Sequence, residues 1–282
     1  MNKFGGDWTS TKIEILVEYA KAYLTIMKKH YYWRTLYFDG FAGTGFIIKG
    51  KAKNSELTIG AARRIVEIEE PKSFDGYYFV EKDSSNAEEL KKNTKAPFPN
   101  KVIYVVEGDC NSKLTDMAAH LKKPQNEREF DKVLAYIDPC GMQLEWNSLE
   151  KMEGVGADIW ILVPTGMGVN RLLKKDGNIS DAWIDKLERF LGLQEEEIKK
   201  FFFSEKVELT LFGEDKRITK KQKAIDRAAE LYRERLKDIF KFVTEPFALK
   251  NEKNSTMYHL IFVSNNSAAL NIATDILNKF KH

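Results

Sequence analysis

The chain has 282 residues, a length that suits one large α/β domain with an insertion or two small domains. Apolar residues make up 43% and charged residues 31%, and no run of about 18 uncharged apolar residues occurs, which excludes a membrane-spanning helix. The net charge of +3 neither requires nor excludes a nucleic-acid partner. The two cysteines, Cys110 and Cys140, lack metal or redox spacing and the four histidines are scattered, so we expect no metal site. Because the N-terminus also does not resemble a secretion signal, the sequence predicts a soluble, cytoplasmic protein.

An amphipathic helix is the first predicted element, from Lys12 to Met27. Its apolar residues recur every three or four positions, as in Ile13, Leu16 and Ala20, which places them in one stripe. Because this helix precedes the first strand, it should pack across the sheet or over the mouth of a cofactor site. Lys12 would then reach a carboxylate there, and a solvent-facing lysine is the alternative.

A short apolar strand followed by a glycine-rich turn comes next. The stretch Thr35 to Gly45 reads TLYFDGFAGTG, and its strand ends at Asp39. No Lys-Ser or Lys-Thr follows Gly45, which argues against a P-loop, and the glycine order differs from that of dinucleotide-binding folds. The spacing resembles motif I of S-adenosylmethionine (SAM) dependent methyltransferases, in the form found in nucleic-acid amino-methyltransferases. A tight turn in another α/β domain is the alternative.

Helical and β patterns alternate after this turn. A polar loop leads to a helix predicted over about Thr58 to Glu69. Further strands are predicted at Gly76 to Val80, Lys101 to Val106, Lys132 to Ile137 and Asp158 to Val163. The alternation is typical of a parallel, doubly wound sheet.

The rest of the chain predicts an insertion and an antiparallel ending. We interpret residues 167–242 as a helical insertion that forms a lid or a target-binding lobe, with packing alone as the alternative. The predicted elements are helices Ser180 to Leu191 and Lys220 to Phe242, a short strand Val207 to Phe212, paired strands Phe242 to Leu249 and Met257 to Val263, and a helix Ala268 to Phe280. Residues 1–166 and 243–282 would then form an α/β, Rossmann-like methyltransferase domain, with parallel strands closed by a C-terminal antiparallel hairpin.

Acidic residues follow most of the predicted strands. Four of the five strands end in an acid or lie within three residues of one: Asp39, Glu81, Asp109 and Asp138. Because ligands bind at the carboxyl ends of parallel strands, we expect these acids at one rim. Asp39 would accept from an ammonium group, and Glu81 from both ribose hydroxyls of a nucleoside. Asp109 would accept from an adenine amino group, helped by Asn111 or the backbone at Cys110.

A SAM site at this rim would draw on the helix start, the glycine turn and the strand ends. The predicted cofactor-binding residues are Lys12, Asp39, Phe41, Ala42, Gly43, Gly45, Glu81, Lys82, Asp109, Cys110 and Asp138.

The predicted catalytic residues are Asp138 and Pro139, in the stretch Asp-Pro-Cys-Gly. Amino-methyltransferases carry Asp/Asn-Pro-Pro-aromatic here, where the carboxylate and the Pro carbonyl accept from an exocyclic amine. Cys140 and Gly141 replace the second Pro and the aromatic, and they are predicted to contact substrate. An Asp-Pro-Phe-Gly version is similar to that of tRNA guanine N2-dimethyltransferases. Trp146 would supply a stacking face, with a core role as the alternative.

The motifs FDGFAGTG, FVEKD, EGD and IDPCGMQLEW together resemble the three-Cys-motif partner proteins of bacteria and archaea. The resemblance spans roughly Trp8 to Thr165. It implies a methyltransferase-like domain and a partner protein that carries a three-cysteine motif.

The preferred hypothesis is a SAM-dependent methyltransferase that acts on an amine of a nucleic acid. RNA stands ahead of DNA because no DNA-reading module is visible. A silent binding subunit of the same fold is the first alternative, and a methyltransferase for a small molecule or protein is the second.

Overall fold

A computed structural model describes residues 8–49, 56–124, 132–173, 179–210 and 213–281. The strands are β1 (Thr35–Asp39), β2 (Phe46–Lys49), β3 (Glu56–Ile59), β4 (Gly76–Glu81), β5 (Ile103–Glu107), β6 (Lys132–Ile137), β7 (Ala157–Val163), β8 (Phe203–Thr210), β9 (Gly213–Lys220), β10 (Phe242–Val243), β11 (Phe247–Lys250) and β12 (Thr256–Ser264). The helices are α1 (Trp8–Lys29), α2 (Ala61–Val66), α3 (Ser84–Leu90), α4 (Cys110–Lys122), α5 (Trp146–Glu150), α6 (Asn170–Leu172), α7 (Asp181–Leu191), α8 (Glu195–Phe202), α9 (Ala224–Ile239) and α10 (Ser267–Lys279). Short π-helical turns cover Lys91–Lys95 and Thr165–Val169.

An eight-stranded sheet in the order β10-β12-β7-β6-β1-β4-β5, with β11 also paired to β12, forms the centre of the molecule. The strands β5, β4, β1, β6 and β7 are parallel to one another. The strand β12 is antiparallel to β7, and β10 and β11 are antiparallel to β12. The predicted Rossmann-like α/β fold, with parallel strands closed by antiparallel C-terminal strands, is confirmed.

Helices cover both faces of this sheet, and each face has its own hydrophobic core. On one face, α1, α2 and α10 bury side chains such as Tyr37 and Trp160. On the other face, α4, α5 and α7 to α9 bury Val133 and Ile159. The described part of the insertion therefore packs into the core of the sheet domain. None of the described helices has the length and apolarity needed to cross a bilayer.

An antiparallel hairpin of β2 and β3 occupies the region predicted as a polar loop and the start of a helix. The Gly60 N–H donates to the Gly45 carbonyl oxygen at 2.9 Å and closes the base of this hairpin. The predicted helix from Thr58 to Glu69 is consequently too long, because Thr58 belongs to β3 and α2 spans only Ala61–Val66.

The C-terminal pair also differs from its prediction in detail. The segment predicted as one strand from Phe242 to Leu249 is two strands, β10 and β11. The Phe262 N–H donates to the Thr244 side-chain oxygen at 3.0 Å, and Pro246 has no N–H to offer the ladder. Both features interrupt the strand between Val243 and Phe247.

The insertion contains more β structure than its charge pattern predicts. The strand predicted at Val207 to Phe212 begins earlier, at Phe203, and pairs with β9, while Phe212 lies outside the described residues. Because β9 extends to Lys220, the predicted helix from Lys220 to Phe242 is shorter and spans Ala224–Ile239. The helix α8, which was not predicted, begins with a capping box between Gln194 and Glu197.

Candidate functional site at the carboxyl ends of the parallel strands

The glycine-rich loop after β1 is fixed to the strands on both sides of it. The Gly40 N–H donates to the Tyr136 carbonyl oxygen on β6, and the Ala42 N–H donates to the Val80 carbonyl oxygen on β4, each at 3.0 Å. The Gly43 N–H donates to Glu81 Oε2 at 3.0 Å. Backbone and carboxylate together therefore hold the loop across the rim of the sheet.

Two glycines in this loop meet different physical demands. A Cβ at Gly40 would lie 2.4 Å from Cys110 Sγ, so the close approach of α4 requires glycine there. Gly43 has φ +60°, and a Cβ there would meet no atom within 4 Å. The backbone at Gly43 thus borders open space, where a bound group could lie directly against it.

Two crevices flank the loop. The first, which we call the α7 crevice, has a volume of about 480 Å³ and is lined by residues that include Glu81, Asp109 and, from α7, Lys186 and Arg189. The second, the α1 crevice, has a volume of about 350 Å³ and is lined by residues that include Trp8, Lys12, Asp39, Ala42, Gly45, Pro139 and Tyr258. Phe41, Gly43, Asp138 and Cys140 line both crevices. The predicted rim acids are therefore brought together around one loop.

Asp39 is the most buried of these acids. Burial raises its pKa to about 7, and the nearby Asp138 carboxylate acts in the same direction. The Phe41 N–H donates to Asp39 Oδ1 at 3.1 Å and opposes part of this rise. Asp39 therefore exchanges its proton near neutral pH, at a position that borders the α1 crevice.

Asp138 lies where the two crevices meet, and one of its oxygens is already engaged. Lys12 Nζ donates to Asp138 Oδ2 at 2.5 Å, and the Tyr136 hydroxyl donates to the same oxygen at 3.1 Å. Lys12 is only 7% exposed, and its ammonium group lies 4.9 Å from the Trp8 ring centre. Among the described residues, no donor contacts Asp138 Oδ1. The carboxylate is thus held in place through Oδ2, while Oδ1 can still accept a hydrogen bond from a bound molecule.

Glu81 and Asp109 border the α7 crevice from neighbouring strands. Glu81 accepts from the Gly43 N–H through Oε2 and from the Asp83 N–H through Oε1, at 3.0 and 2.9 Å. Each carboxylate oxygen retains a second lone pair for a ligand hydroxyl. Asp109 caps α4 by accepting from the Asn111 N–H at 2.9 Å, and Lys82 Nζ lies 3.4 Å from its other oxygen. Although partial burial raises the pKa of Asp109, these donors bring it below its ordinary value.

The segment after Asp138 is held by hydrogen bonds that the sequence did not predict. The Asn111 side-chain amide donates to the Gln143 carbonyl oxygen at 2.9 Å and accepts from the Glu145 N–H at 2.8 Å. The Asn111 amide therefore fixes the loop while Asn111 also lines the α7 crevice, and its help in binding adenine stays a prediction. The Pro139 carbonyl oxygen, predicted to accept from an amine, accepts from the Gly141 N–H at 2.9 Å.

Two predicted substrate contacts do not reach the crevices. The Trp146 indole is buried, lies edge-on to Tyr232 with ring centres 5.4 Å apart, and has the Arg235 guanidinium 4.4 Å from its ring centre. Since its face is covered by α9, Trp146 has the core role that was the alternative to stacking on a substrate. Gly141 lines neither crevice, whereas Cys140 lines both.

Some lining residues were not predicted from the sequence. Trp8 stacks on Tyr258 with ring centres 4.8 Å apart, which brings β12 to the α1 crevice. Lys186 and Arg189 bring the insertion to the α7 crevice. Helical periodicity predicts α7, but it does not show that Lys186 and Arg189 face the crevice. No signal in the sequence therefore identified these two residues as part of the site. Within the described ranges, no group of three or more His, Cys, Asp or Glu residues could hold a metal ion.

Comparisons with known proteins give similarity at the level of the fold. No family model matches the chain, and no curated protein matches its sequence. Similar solved structures include protein LPL1258 from Legionella pneumophila, with 16% identity, TM-score 0.45 and coverage of 92% of this chain and 97% of that one. Trm1 from Pyrococcus horikoshii, in complex with S-adenosyl-L-methionine, has 10% identity, TM-score 0.42 and coverage of 95% and 71%. Spermidine synthase from Thermotoga maritima has 12% identity, TM-score 0.41 and coverage of 85% and 56%. Similarity this low carries no inference about activity.

Proposed function

We propose that the protein is a SAM-dependent methyltransferase that acts on an amine of a nucleic acid, with RNA ahead of DNA. The observation that carries the proposal is the position of Asp138, where two crevices meet and one carboxylate oxygen lacks a donor among the described residues. A substrate amine that donates a hydrogen bond to that oxygen would lie beside both crevices.

The acceptor groups around the glycine loop suit a sulfonium nucleoside. The volume of the α7 crevice is within the range of about 300–1,000 Å³ that small-molecule sites occupy. Glu81 would accept from the ribose hydroxyls, and Asp109 from the adenine amino group. Asp39 would accept from the ammonium group of the methionine portion, at the edge of the α1 crevice. Gly43 leaves the space in which such a molecule can cross beneath the loop.

Bound SAM would supply an electrophilic methyl group, and the protein would supply alignment and one proton acceptor. Asp138 Oδ1 would accept an N–H of the amine and direct the nitrogen lone pair toward the methyl carbon. Asp138 Oδ1 would also accept the one proton that the amine nitrogen releases on methylation and would pass it to water. Lys12 balances the charge of Asp138 and fixes its orientation through Oδ2.

The same geometry also favours one alternative, a SAM-binding partner subunit without transferase activity. The Trp146 ring is buried and Gly141 lines neither crevice, so neither presents the contact that a nucleic-acid base would use. The resemblance to three-Cys-motif partner proteins adds the proposal of a partner with a three-cysteine motif. We further propose that the protein acts in the cytoplasm and that residues 167–242 close over the α7 crevice.

Calorimetric titration with SAM tests the cofactor site. The wild type should bind, and Glu81→Ala should weaken binding by roughly ten- to a hundredfold, since hydrogen bonds to a charged group contribute about 1.5–3 kcal/mol. Glu107→Ala is the matched control, because Glu107 pairs with Glu81 across β4 and β5 yet lines neither crevice. Absence of binding by the wild type would refute the proposal, and an equal loss in both variants would refute the role of Glu81.

Transfer of a labelled methyl group to bulk RNA, DNA or protein then distinguishes the enzyme from the partner subunit. Transfer to RNA that depends on intact amines in the acceptor supports the proposed reaction. Tight SAM binding without transfer to any acceptor, including in the presence of cell extract, would favour the partner subunit.

A further inference from the structure

An exposed cluster of aromatic and basic side chains lies at the amino ends of the parallel strands, opposite the crevices at their carboxyl ends. We call it the aromatic-basic patch; it comprises Lys28, Lys29, His30, Tyr31, Tyr32, Trp33, Arg34 and Lys132. Tyr31 is 90% exposed and Tyr32 is 61% exposed. Large rings are seldom left this open side by side, because burying each would remove substantial apolar area from water.

The rings are held in a defined arrangement. The Trp33 N–H donates to the His30 carbonyl oxygen at 2.9 Å and closes a turn whose tip is Tyr31 and Tyr32. His30 Nδ1 lies 3.0 Å from the Tyr32 hydroxyl. The Tyr32 ring centre lies 6.1 Å from that of Tyr31 and 5.5 Å from that of Trp33. The patch therefore presents neighbouring ring faces and edges on an ordered turn.

Basic residues flank these rings along the chain, and the nearby acids from other elements, Asp75 and Asp158, accept hydrogen bonds from Thr35 and from Tyr19 and Ser264. No Asp or Glu occurs in the sequence between Glu18 and Asp39. Lys28 and Lys29 are exposed in the last turn of α1. From the neighbouring strand β6, Lys132 Nζ lies 4.5 Å from the Trp33 ring centre. A favourable interaction with the helix dipole accounts for lysines at this position, but it does not account for the open tyrosines beside them.

We propose that the aromatic-basic patch binds single-stranded nucleic acid. Unpaired bases would stack on Tyr31 and Tyr32, and the phosphates would contact Lys28 and Lys29, the combination that sequence-independent binding of single strands requires. The charge favours this occupant over an uncharged or basic protein surface, because the patch offers cations around its rings.

The aromatic-basic patch would give a nucleic-acid substrate a second contact with the protein, apart from the crevices. Trp33 precedes β1, whereas Asp39 ends it, so patch and crevices are separated by on the order of 15–20 Å along the strand. A nucleic acid would thus be held at one edge of the sheet while another part of the same strand reaches Asp138. The inference rests on the proposed function only for this linkage of the two surfaces.

Fluorescence anisotropy with a labelled oligouridine, and with an oligothymidine of equal length, tests the patch without any methyl donor. Tyr31→Ala/Tyr32→Ala should weaken binding roughly tenfold or more, since base stacking contributes this much for each base. Lys28→Ala/Lys29→Ala should lower the slope of log K against log salt by about 1.4, at roughly 0.7 for each phosphate contact. Equal loss with both oligonucleotides identifies a general single-strand surface, and a larger loss with oligouridine identifies an RNA surface; either supports the proposal.

The matched control is Lys199→Ala/Lys200→Ala, an exposed lysine pair in the last turn of α8. It should bind as the wild type does, and all variants should retain the thermal unfolding midpoint because the replaced side chains are exposed. Absence of binding by the wild type, or equal loss in the control, overturns the proposal. So does a wild type that self-associates through the patch while Tyr31→Ala/Tyr32→Ala remains a monomer with unchanged oligonucleotide affinity. Because no donor is present, a failure here leaves the transferase test unaffected.

Discussion

The two ends of the parallel sheet use the same chemical group, a carboxylate, in different ways. At the amino end, Asp158 accepts from the Tyr19 hydroxyl at 2.8 Å and from the Ser264 hydroxyl at 2.6 Å, one donor on each oxygen. Asp75 accepts from both the N–H and the hydroxyl of Thr35 through Oδ2, and Lys72 Nζ lies 3.4 Å from its Oδ1, so both of its oxygens also have donors. At the carboxyl end, Lys12 and the Tyr136 hydroxyl both donate to the same oxygen of Asp138, Oδ2.

This difference separates Asp158, which stabilises the fold, from Asp138, which keeps an acceptor oxygen beside the two crevices. A buried carboxylate with donors on both oxygens ties together the elements that supply them, here α1, β7 and β12 around Asp158. A carboxylate with an oxygen to spare beside open space can accept a proton or a hydrogen bond from a bound molecule. Replacing residues at the two ends should therefore change different measurements.

The largest expected effect is on the rate of methyl transfer. Asp138→Asn keeps an oxygen for Lys12 but replaces the second acceptor with an NH₂ donor, so transfer to RNA should fall by roughly 10²–10⁴-fold, as for loss of a positioned proton acceptor. Single-turnover transfer of a labelled methyl group measures this effect. SAM affinity should change by no more than about threefold, because the group acts on the acceptor amine.

The matched variant at the other end is Asp158→Asn. It should transfer methyl groups at the wild-type rate once folded. A comparable loss of transfer in both variants would contradict the division between the two ends.

The next effect is on stability. Asp158→Ala removes the acceptor of the Tyr19 and Ser264 hydroxyls, and each buried hydroxyl proton left without an acceptor costs about 1–3 kcal/mol. The free energy of unfolding, measured by urea denaturation, should fall by about 2–6 kcal/mol. Asp158→Asn retains one acceptor and should show a smaller loss. If Asp158→Ala unfolds as the wild type does, the network at the amino end does not stabilise the fold.

The sequence predicts which carboxylates meet at the rim, because the carboxyl ends of parallel strands share one edge. The positions of Asp39, Glu81 and Asp138 in the chain are therefore enough to group them. The sequence does not predict which oxygen of Asp138 is occupied. Its partner Lys12 lies 126 positions earlier in the chain, and the contact depends on how α1 crosses the sheet.

Tertiary packing also decides the features that local patterns leave open or predict wrongly. The sequence leaves Trp146 between a stacking face and a core role, and the choice depends on α9, which supplies Tyr232 and Arg235 to cover its ring. The polar stretch after Gly45 lacks the alternation of a half-buried strand, yet it pairs as β2 and β3. The local sequence pattern shows neither that α9 covers the Trp146 ring nor that β2 pairs with β3.

A third prediction concerns pH. Because Asp39 has a pKa raised to about 7 by burial, the stability it contributes is present below pH about 4 and is lost as pH rises through about 7. The ammonium group of SAM would pair with the ionised form of Asp39. SAM affinity should therefore rise with pH over the range in which this contribution to stability is lost. Affinity measured by calorimetry should rise roughly five- to tenfold from about pH 6 to about pH 7.5, as the ionised fraction of Asp39 rises.

Asp39→Asn isolates this contribution. The variant should bind SAM weakly at both pH values and should lose most of the pH dependence. A variant with the wild-type slope would show that a group other than Asp39 controls the dependence.

The smallest expected effect concerns the insertion, which brings a third region to the rim. Lys186 and Arg189 line the α7 crevice, but Arg189 is well exposed and lies 3.8 Å from Glu145, a geometry in which ion pairs contribute little. Lys186→Ala/Arg189→Ala should therefore weaken SAM binding only about two- to fivefold, and Lys199→Ala/Lys200→Ala on α8 should leave it unchanged. If the insertion only packs against the sheet, both variants will bind SAM as the wild type does. A selective loss in the α7 variant would instead mean that residues 167–242 complete the site from above, since these side chains can act on a ligand only when α7 stays over the crevice.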